Sequence, residues 1–170
     1  MYQLIDKRVT QWSPGQKSFI TPAHVYNKFG IPSHNFCVAR SFCGDPSDGI
    51  PGIKGAGFKT LSKRFPVLVG ENEVSVEDII EQSRLEAQKS KVKIFQRIVD
   101  DSDMAKRNWK LMYLDSGCLS SSQIEKIENS IDTFSPCRNK IALMKVMIRE
   151  GLSSFDADSF YMTLNSMLIP

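Results

Sequence analysis

The chain has 170 residues, 41% hydrophobic and 24% charged, the usage of a globular domain, which excludes disorder, a collagen repeat or a disulfide scaffold as a description of the whole. Its net charge of +3 is unevenly spread: residues 1–70 hold nine Lys/Arg against three Asp/Glu, and residues 71–170 hold thirteen against sixteen. A localised positive field is the footprint of a polyanion partner, although a solvated basic face gives the same count.

No apolar run approaches the ~20 residues that span a bilayer. Residues 1–8 lack the basic-then-apolar order of a signal peptide. The expectation is a soluble cytoplasmic protein with no membrane partner. Cys37, Cys43, Cys118 and Cys137 form no CxxC pair, and His34 completes no zinc spacing. They read as buried free thiols. His24 and His34 have no Cys, Ser or Asp at motif spacing, so triad chemistry gains no support.

Residues 2–20 read as a strand pair, with Leu4, Val9 and Trp12 apolar and Ser13-Pro14-Gly15-Gln16 as the turn before Phe19 and Ile20. A lone hairpin is marginal in water, so this one needs a neighbour in this chain or another. Thr21 as N-cap, Pro22 at the first helical position and Gly30 past the end then frame a helix with Val25, Tyr26 and Phe29 on its apolar side. Ser33 is the candidate cap of a second helix, reaching about Cys43. Seven of the ten glycines fall between residues 30 and 70, five of them within 44–57, and this is the densest turn chemistry of the chain. A short helix from about Phe58 to Phe65 is stopped by Pro66.

Beyond residue 70 the pattern is helical throughout. Ser75-Val76-Glu77-Asp78 is a capping box for a helix to about Ser90. Further segments follow near 91–99, 103–114, 120–132, 137–150 and 155–168, with Ser120 capping one and Gly151 ending another. Leu143, Met144, Val146 and Met147 read as core filling rather than a cofactor box. The predicted organisation is a β-hairpin over 1–20, a helix–hairpin–helix region over 21–70 and a helical subdomain over 71–170.

The chemistry is concentrated in residues 42–61. Gly52, Ile53, Lys54, Gly55, Ala56 and Gly57 form a Gly-x-x-Gly-x-Gly turn opening a basic helix that carries Lys59, Thr60 and Lys63. Glycines let a backbone take positive φ and approach a surface closely. The N–H groups of such a turn and helix start can face a phosphate, and Lys54, Lys59, Lys63 and Arg64 add point charges. A P-loop is rejected, because Gly57 is followed by Phe58 instead of Lys and no strand precedes the loop. Asp45 and Asp48, three apart, would face the same way on one helical turn and suit magnesium or manganese beside phosphate-binding amides. Spacing alone favours the other reading, in which Asp45 caps a short helix and Asp48 makes a turn.

Residues 44–60, Gly44-Asp45-Pro46-Ser47-Asp48-Gly49-Ile50-Pro51-Gly52-Ile53-Lys54-Gly55-Ala56-Gly57-Phe58-Lys59-Thr60, resemble the GDxSDNIPGVxGIGxKT signature of the bacterial and phage 5′→3′ exonucleases and flap endonucleases. Upstream, Gln3-Leu4-Ile5-Asp6, Ser13-Pro14, Thr21-Pro22-Ala23-His24-Val25 and Phe29-Gly30-Ile31-Pro32 follow the same family order, so the resemblance covers residues 2–66. Gly49, Ala56 and Phe58 depart from it. The resemblance implies that Asp45 and Asp48 are catalytic metal ligands for Mg2+ or Mn2+. It also implies that residues 52–57 grip the duplex backbone with a potassium ion at the hairpin, and that Lys54, Lys59 and Lys63 contact phosphates.

The implied fold is mainly α: the helix–hairpin–helix domain of a 5′ nuclease, with an N-terminal β-hairpin left from a truncated α/β catalytic domain and a helical C-terminal extension. The implied substrates are double-stranded or flap DNA, or an RNA–DNA hybrid. The reaction is two-metal phosphodiester hydrolysis. Most of the family's acidic cluster lies upstream of the matching segment, so a separate N-terminal half is the expected partner and the chain alone is expected to be inactive. The alternatives are a non-catalytic duplex-binding module and a protein-contact element.

Overall fold

The computed structural model describes residues 1–135, 139–152 and 154–167. Contacts divide the chain into two units, Met1–Asp115 and Ser116–Pro170. Helix dominates both, as expected, and the one sheet among the described residues is a two-stranded antiparallel ribbon.

The first unit opens on a 3-10 turn, Tyr2–Leu4, where a strand was expected. Its amides bond locally, Leu4 N to Met1 O at 3.0 Å and Ile5 N to Tyr2 O at 3.3 Å, the pattern of a turn and not of a strand. The ribbon is confined to β1 (Gln11–Ser13) and β2 (Ser18–Ile20), with Trp12 opposite Phe19. Helix α1 (Pro22–Phe29) starts and stops on the residues predicted: Pro22 leads and Gly30 closes it at φ 70. His24 serves that start, its Nδ1 lying 2.8 Å from Thr21 Oγ1.

Helix α2 (Ser33–Cys43) corrects one expectation. Pro32, extended at φ −68 and ψ 159, takes the cap position, so Ser33 is already helical. Its hydroxyl is buried without a hydrogen-bond partner among the described residues. Helix α3 (Phe58–Arg64) ends before Pro66. Helix α4 (Val76–Lys89) begins with the expected capping box, Asp78 N donating to Ser75 Oγ at 3.1 Å and Ser75 N to Asp78 Oδ2 at 2.8 Å. Helices α5 (Lys93–Asp100) and α6 (Ser102–Met112) complete the unit.

One core joins α2 through α6. Phe42, Leu61, Phe65, Leu68, Ile79 and Ile98 are fully buried in a single cluster, each gaining about 1.5–3 kcal/mol by leaving water. The boundary expected at residue 70 therefore falls inside this unit: α4, α5 and α6 supply Ile79, Ile98 and Ala105 to the same core as α2 and α3. A smaller cluster of Ile5, Ile20, Val25 and Phe36 seats the ribbon and α1 on α2, which is the neighbour the hairpin requires. Buried Asn35 ties the chain between α3 and α4 to α2, donating to Leu68 O and Asn72 O and accepting from Val74 N.

The second unit holds α7 (Ser121–Asp132), α8 (Lys140–Arg149) and α9 (Ala157–Met167). Ser120 caps α7 as predicted, and Gly151 follows α8 at φ 69. An ion pair between Lys140 and Asp158 links α8 and α9. Of the expected core run only Met147 is buried, with Met144 and Val146 exposed, because three short helices enclose too little volume to cover every apolar side chain. The thiols also divide: Cys37 is buried, Cys43 half-buried and Cys118 exposed, and Cys137 lies outside the described residues. No helix among the described residues is long and apolar enough to cross a membrane.

Candidate nucleic-acid-binding site

The connection from α2 to α3 doubles back on itself with almost no space between its arms. Ile53 N donates to Phe42 O at 2.8 Å. A Cβ on Gly52 would lie 1.9 Å from Cys43 O, and one on Gly44, which sits at φ +72, 2.4 Å from Gly52 N. Two glycines are required for that approach. Beyond it, Ile53-Lys54-Gly55-Ala56 makes a tight turn closed by Ala56 N to Ile53 O at 2.9 Å, with Gly55 at φ 91 as a type II turn demands.

The turn divides its residues between core and solvent. Ile53 and Ala56, both expected at the nucleic-acid contact, are buried and anchor the turn from below. Lys54 and Gly55 form the exposed tip, with Gly52 and Gly57 exposed on either side. The backbone N–H groups of Lys54, Gly55 and Gly57 carry no hydrogen bond among the described residues. Lys59, Lys63 and Arg64 are exposed on α3, Lys59 and Lys63 one turn apart, and Thr60 is half-buried.

Two side chains from distant helices and the first residue of α3 hold this loop. Asn108 of α6 donates its amide to Ser41 O at 3.0 Å and to Pro51 O at 2.7 Å, fastening the end of α2 to the returning arm. Arg97 of α5 donates Nη1 to Lys54 O at 3.0 Å. Phe58 stacks on Phe36 at 5.3 Å and meets Phe29 at 4.8 Å, with the Arg40 guanidinium 5.9 Å over its ring. Phe58, one of the three residues that depart from the signature, is thus the plug that locks the start of α3. Sequence reading missed all three roles. A lone Asn or Arg on an amphipathic helix gives no signal of which distant carbonyl it will meet.

Asp45 caps a 3-10 turn, Pro46–Asp48, accepting from Ser47 N at 3.2 Å and Ser47 Oγ at 2.5 Å. Its other oxygen faces Arg40, 2.7 Å from Nη2 and 3.2 Å from Nε. The Ser47 hydroxyl first, and the Arg40 guanidinium next, hold the Asp45 carboxyl below the usual carboxylate range. Asp48 is exposed, its N–H bonded to Asp45 O at 3.1 Å.

A hydrated divalent ion needs several oxygen ligands. Among the described residues no group of three or more His, Cys, Asp or Glu is placed to hold a metal ion. Both Asp45 oxygens, moreover, are engaged by Ser47 and Arg40. Asp45 and Asp48 by themselves do not constitute a magnesium or manganese site.

No family model matches the chain, and no solved structure matches it. Curated relatives do. The thermostable DNA polymerase I of Thermus thermophilus is 41% identical over 63 residues, 37% of this chain and 8% of the polymerase. DNA polymerase I of Deinococcus radiodurans is 42% identical over 62 residues, 36% of this chain and 6% of the polymerase. A 5′-3′ exonuclease of Buchnera aphidicola is 35% identical over 68 residues, 38% of this chain and 24% of the exonuclease. The chain thus spans a minor part of the relatives it matches, and over that segment it fits the 5′ nuclease family.

Proposed function

We propose that this chain is the duplex-binding part of a 5′→3′ nuclease, holding the sugar–phosphate backbone at residues 52–57, with a separate N-terminal half supplying the remaining acidic ligands. One observation carries the reading: a turn anchored by buried Ile53 and Ala56 offers N–H groups at Lys54, Gly55 and Gly57 that carry no hydrogen bond among the described residues, with Lys54 at its tip and Lys59 and Lys63 on the helix that follows. Phosphate oxygens accept from such amides, and the lysines add attraction that carries no base information. The substrate class is duplex or 5′-flap DNA, or an RNA–DNA hybrid. Asp45 and Asp48 are what this chain would contribute to a Mg2+ or Mn2+ site completed by the partner, where phosphodiester hydrolysis would occur. The chain's own part is to grip and orient the backbone.

A second reading, a duplex-binding module without catalysis, is favoured by the engagement of Asp45 with Arg40 and Ser47. The two separate in an assay on a labelled 5′-flap duplex with magnesium, using the chain alone and mixed with candidate N-terminal halves. Cleavage only in a mixture, abolished by Asp45→Ala or Asp48→Ala, is the expected result. Binding without cleavage in every mixture establishes the second reading. A chain with no salt-dependent affinity for duplex DNA in EDTA refutes both.

A further inference from the structure

The acidic balance of residues 71–170 conceals a local exception. Between Glu86 and Asp100 lie four cations, Lys89, Lys91, Lys93 and Arg97, and no acid. In sequence this run is more than thirty residues from the glycine-rich turn. In the fold its last member touches the turn: Arg97 Nη1 donates to Lys54 O at 3.0 Å, and a Cβ on Gly55 would come within 3.4 Å of Arg97 Nη1 and 3.8 Å of Ile94 Cδ1. Ile94, Phe95 and Ile98 bury the other side of α5 in the core, so the helix cannot rotate away. Lys93 is exposed and one turn before Arg97, on the same face.

We infer that α5 and the residues just before it are a second arm of the backbone-binding surface, in which Lys91, Lys93 and Arg97 contact phosphates next to those held by the turn at residues 52–57. The inference rests on the duplex-binding reading above and extends it to a helix outside the matching motif. Arg97 acts in two ways. One nitrogen of its fork steadies the Lys54 carbonyl, and the rest of the fork, with four further N–H bonds, faces the position a phosphate on the turn amides would take. Lys91 and Lys93 make no ion pair among the described residues and continue the positive strip along the chain. The chemistry recognised is a row of phosphodiesters at duplex spacing, without base specificity.

The test is the salt dependence of binding to a labelled DNA duplex in EDTA, measured with the full chain. Each phosphate contact contributes about 0.9 to the slope of log K against log salt. Lys91→Ala/Lys93→Ala, both exposed and outside the core, is expected to lower the slope by about 1.8 while leaving the unfolding midpoint unchanged. Arg97→Lys, which keeps the charge but loses the fork, is expected to weaken binding with a nearly unchanged slope, because two-pronged contact is lost and charge is not. Lys106→Ala, a cation of α6 outside the run, is expected to leave the slope unchanged. An unaltered slope in Lys91→Ala/Lys93→Ala, alongside a reduced one in Lys54→Ala, overturns the second arm and leaves the duplex-binding reading intact. An equal drop in Lys106→Ala also overturns it, since the effect would then be general charge. No salt-dependent binding by the unaltered chain removes both readings together.

Discussion

Arg40 and Asp45 face each other at 2.7 Å, one on the last turn of α2 and the other at the cap of the 3-10 turn that follows. The pair is mostly shielded from solvent, and Arg40 also lies over the Phe58 ring, so a single guanidinium links the candidate ligand to the helix that follows the turn. Asp45 is consequently held charged and in one orientation before any partner or cation arrives.

A lowered carboxyl pKa in the folded state has a defined sign. Its stabilisation is complete above the unfolded carboxylate pKa of about 3.9 and is lost as pH falls through the lower folded value. Arg40→Ala is expected to move the Asp45 pKa up, toward the ordinary range, leaving the Ser47 hydrogen bonds as the remaining depressant. Carboxyl-detected NMR titration reads this directly. The accompanying loss of stability at neutral pH should be about 1 kcal/mol, and an Asp45 titration unmoved by the substitution would show that the pair does not persist in solution.

The back-to-back approach of Gly44 and Gly52 admits no side chain. Gly52→Ala places a Cβ 1.9 Å from a backbone oxygen, which no rotamer change can relieve. The expected loss is about 3 kcal/mol or more, read as the shift in urea midpoint. Gly49→Ala has open space but sits at φ +68, so it should cost only about 1–2 kcal/mol. Gly15→Ala, with open space and no such φ, serves as the neutral comparison. Equal losses in all three would contradict the packing.

Asn108 is fully buried and bonds two carbonyls with one amide nitrogen. Asn108→Ala leaves Ser41 O and Pro51 O without that donor, at a cost of about 2–4 kcal/mol. The effect should be larger than for Asn72→Ala, since there the bond to Asn35 uses the backbone carbonyl, which the substitution retains. Amide exchange near Ile53 should accelerate in Asn108→Ala, because the returning arm is then tied to α2 by its own backbone bond alone.

Burial pushes the Cys43 thiol up to about 12 and Cys37 up to about 11, whereas Cys118 is exposed. Thiolate is the reactive form. Native-state alkylation read by mass spectrometry should therefore modify Cys118 promptly and spare Cys37 and Cys43 until denaturant is added. Cys43 reacting as fast as Cys118 would show that the end of α2 opens in solution.

Local chemistry was legible in the residues themselves. Pro22 and Gly30 bound α1, Ser75 with Asp78 opens α4, and the glycines of 44–57 announce a turn, because caps, fixed φ and missing Cβ atoms act within a few residues. The resemblance over residues 2–66 likewise needed no coordinates. What only the tertiary structure decided are the long-range partners. Burial of Ile53 and Ala56 turns two expected contacts into anchors. Arg40 and Ser47 claim the oxygens of Asp45, Asn108 and Arg97 brace the loop from helices more than forty residues on, and one core carries the first unit past residue 70 to Asp115. Sequence pattern states which face of a helix is apolar, but not which other face it meets; that is set by the shape of the whole core, and with it the surroundings of every side chain in the site.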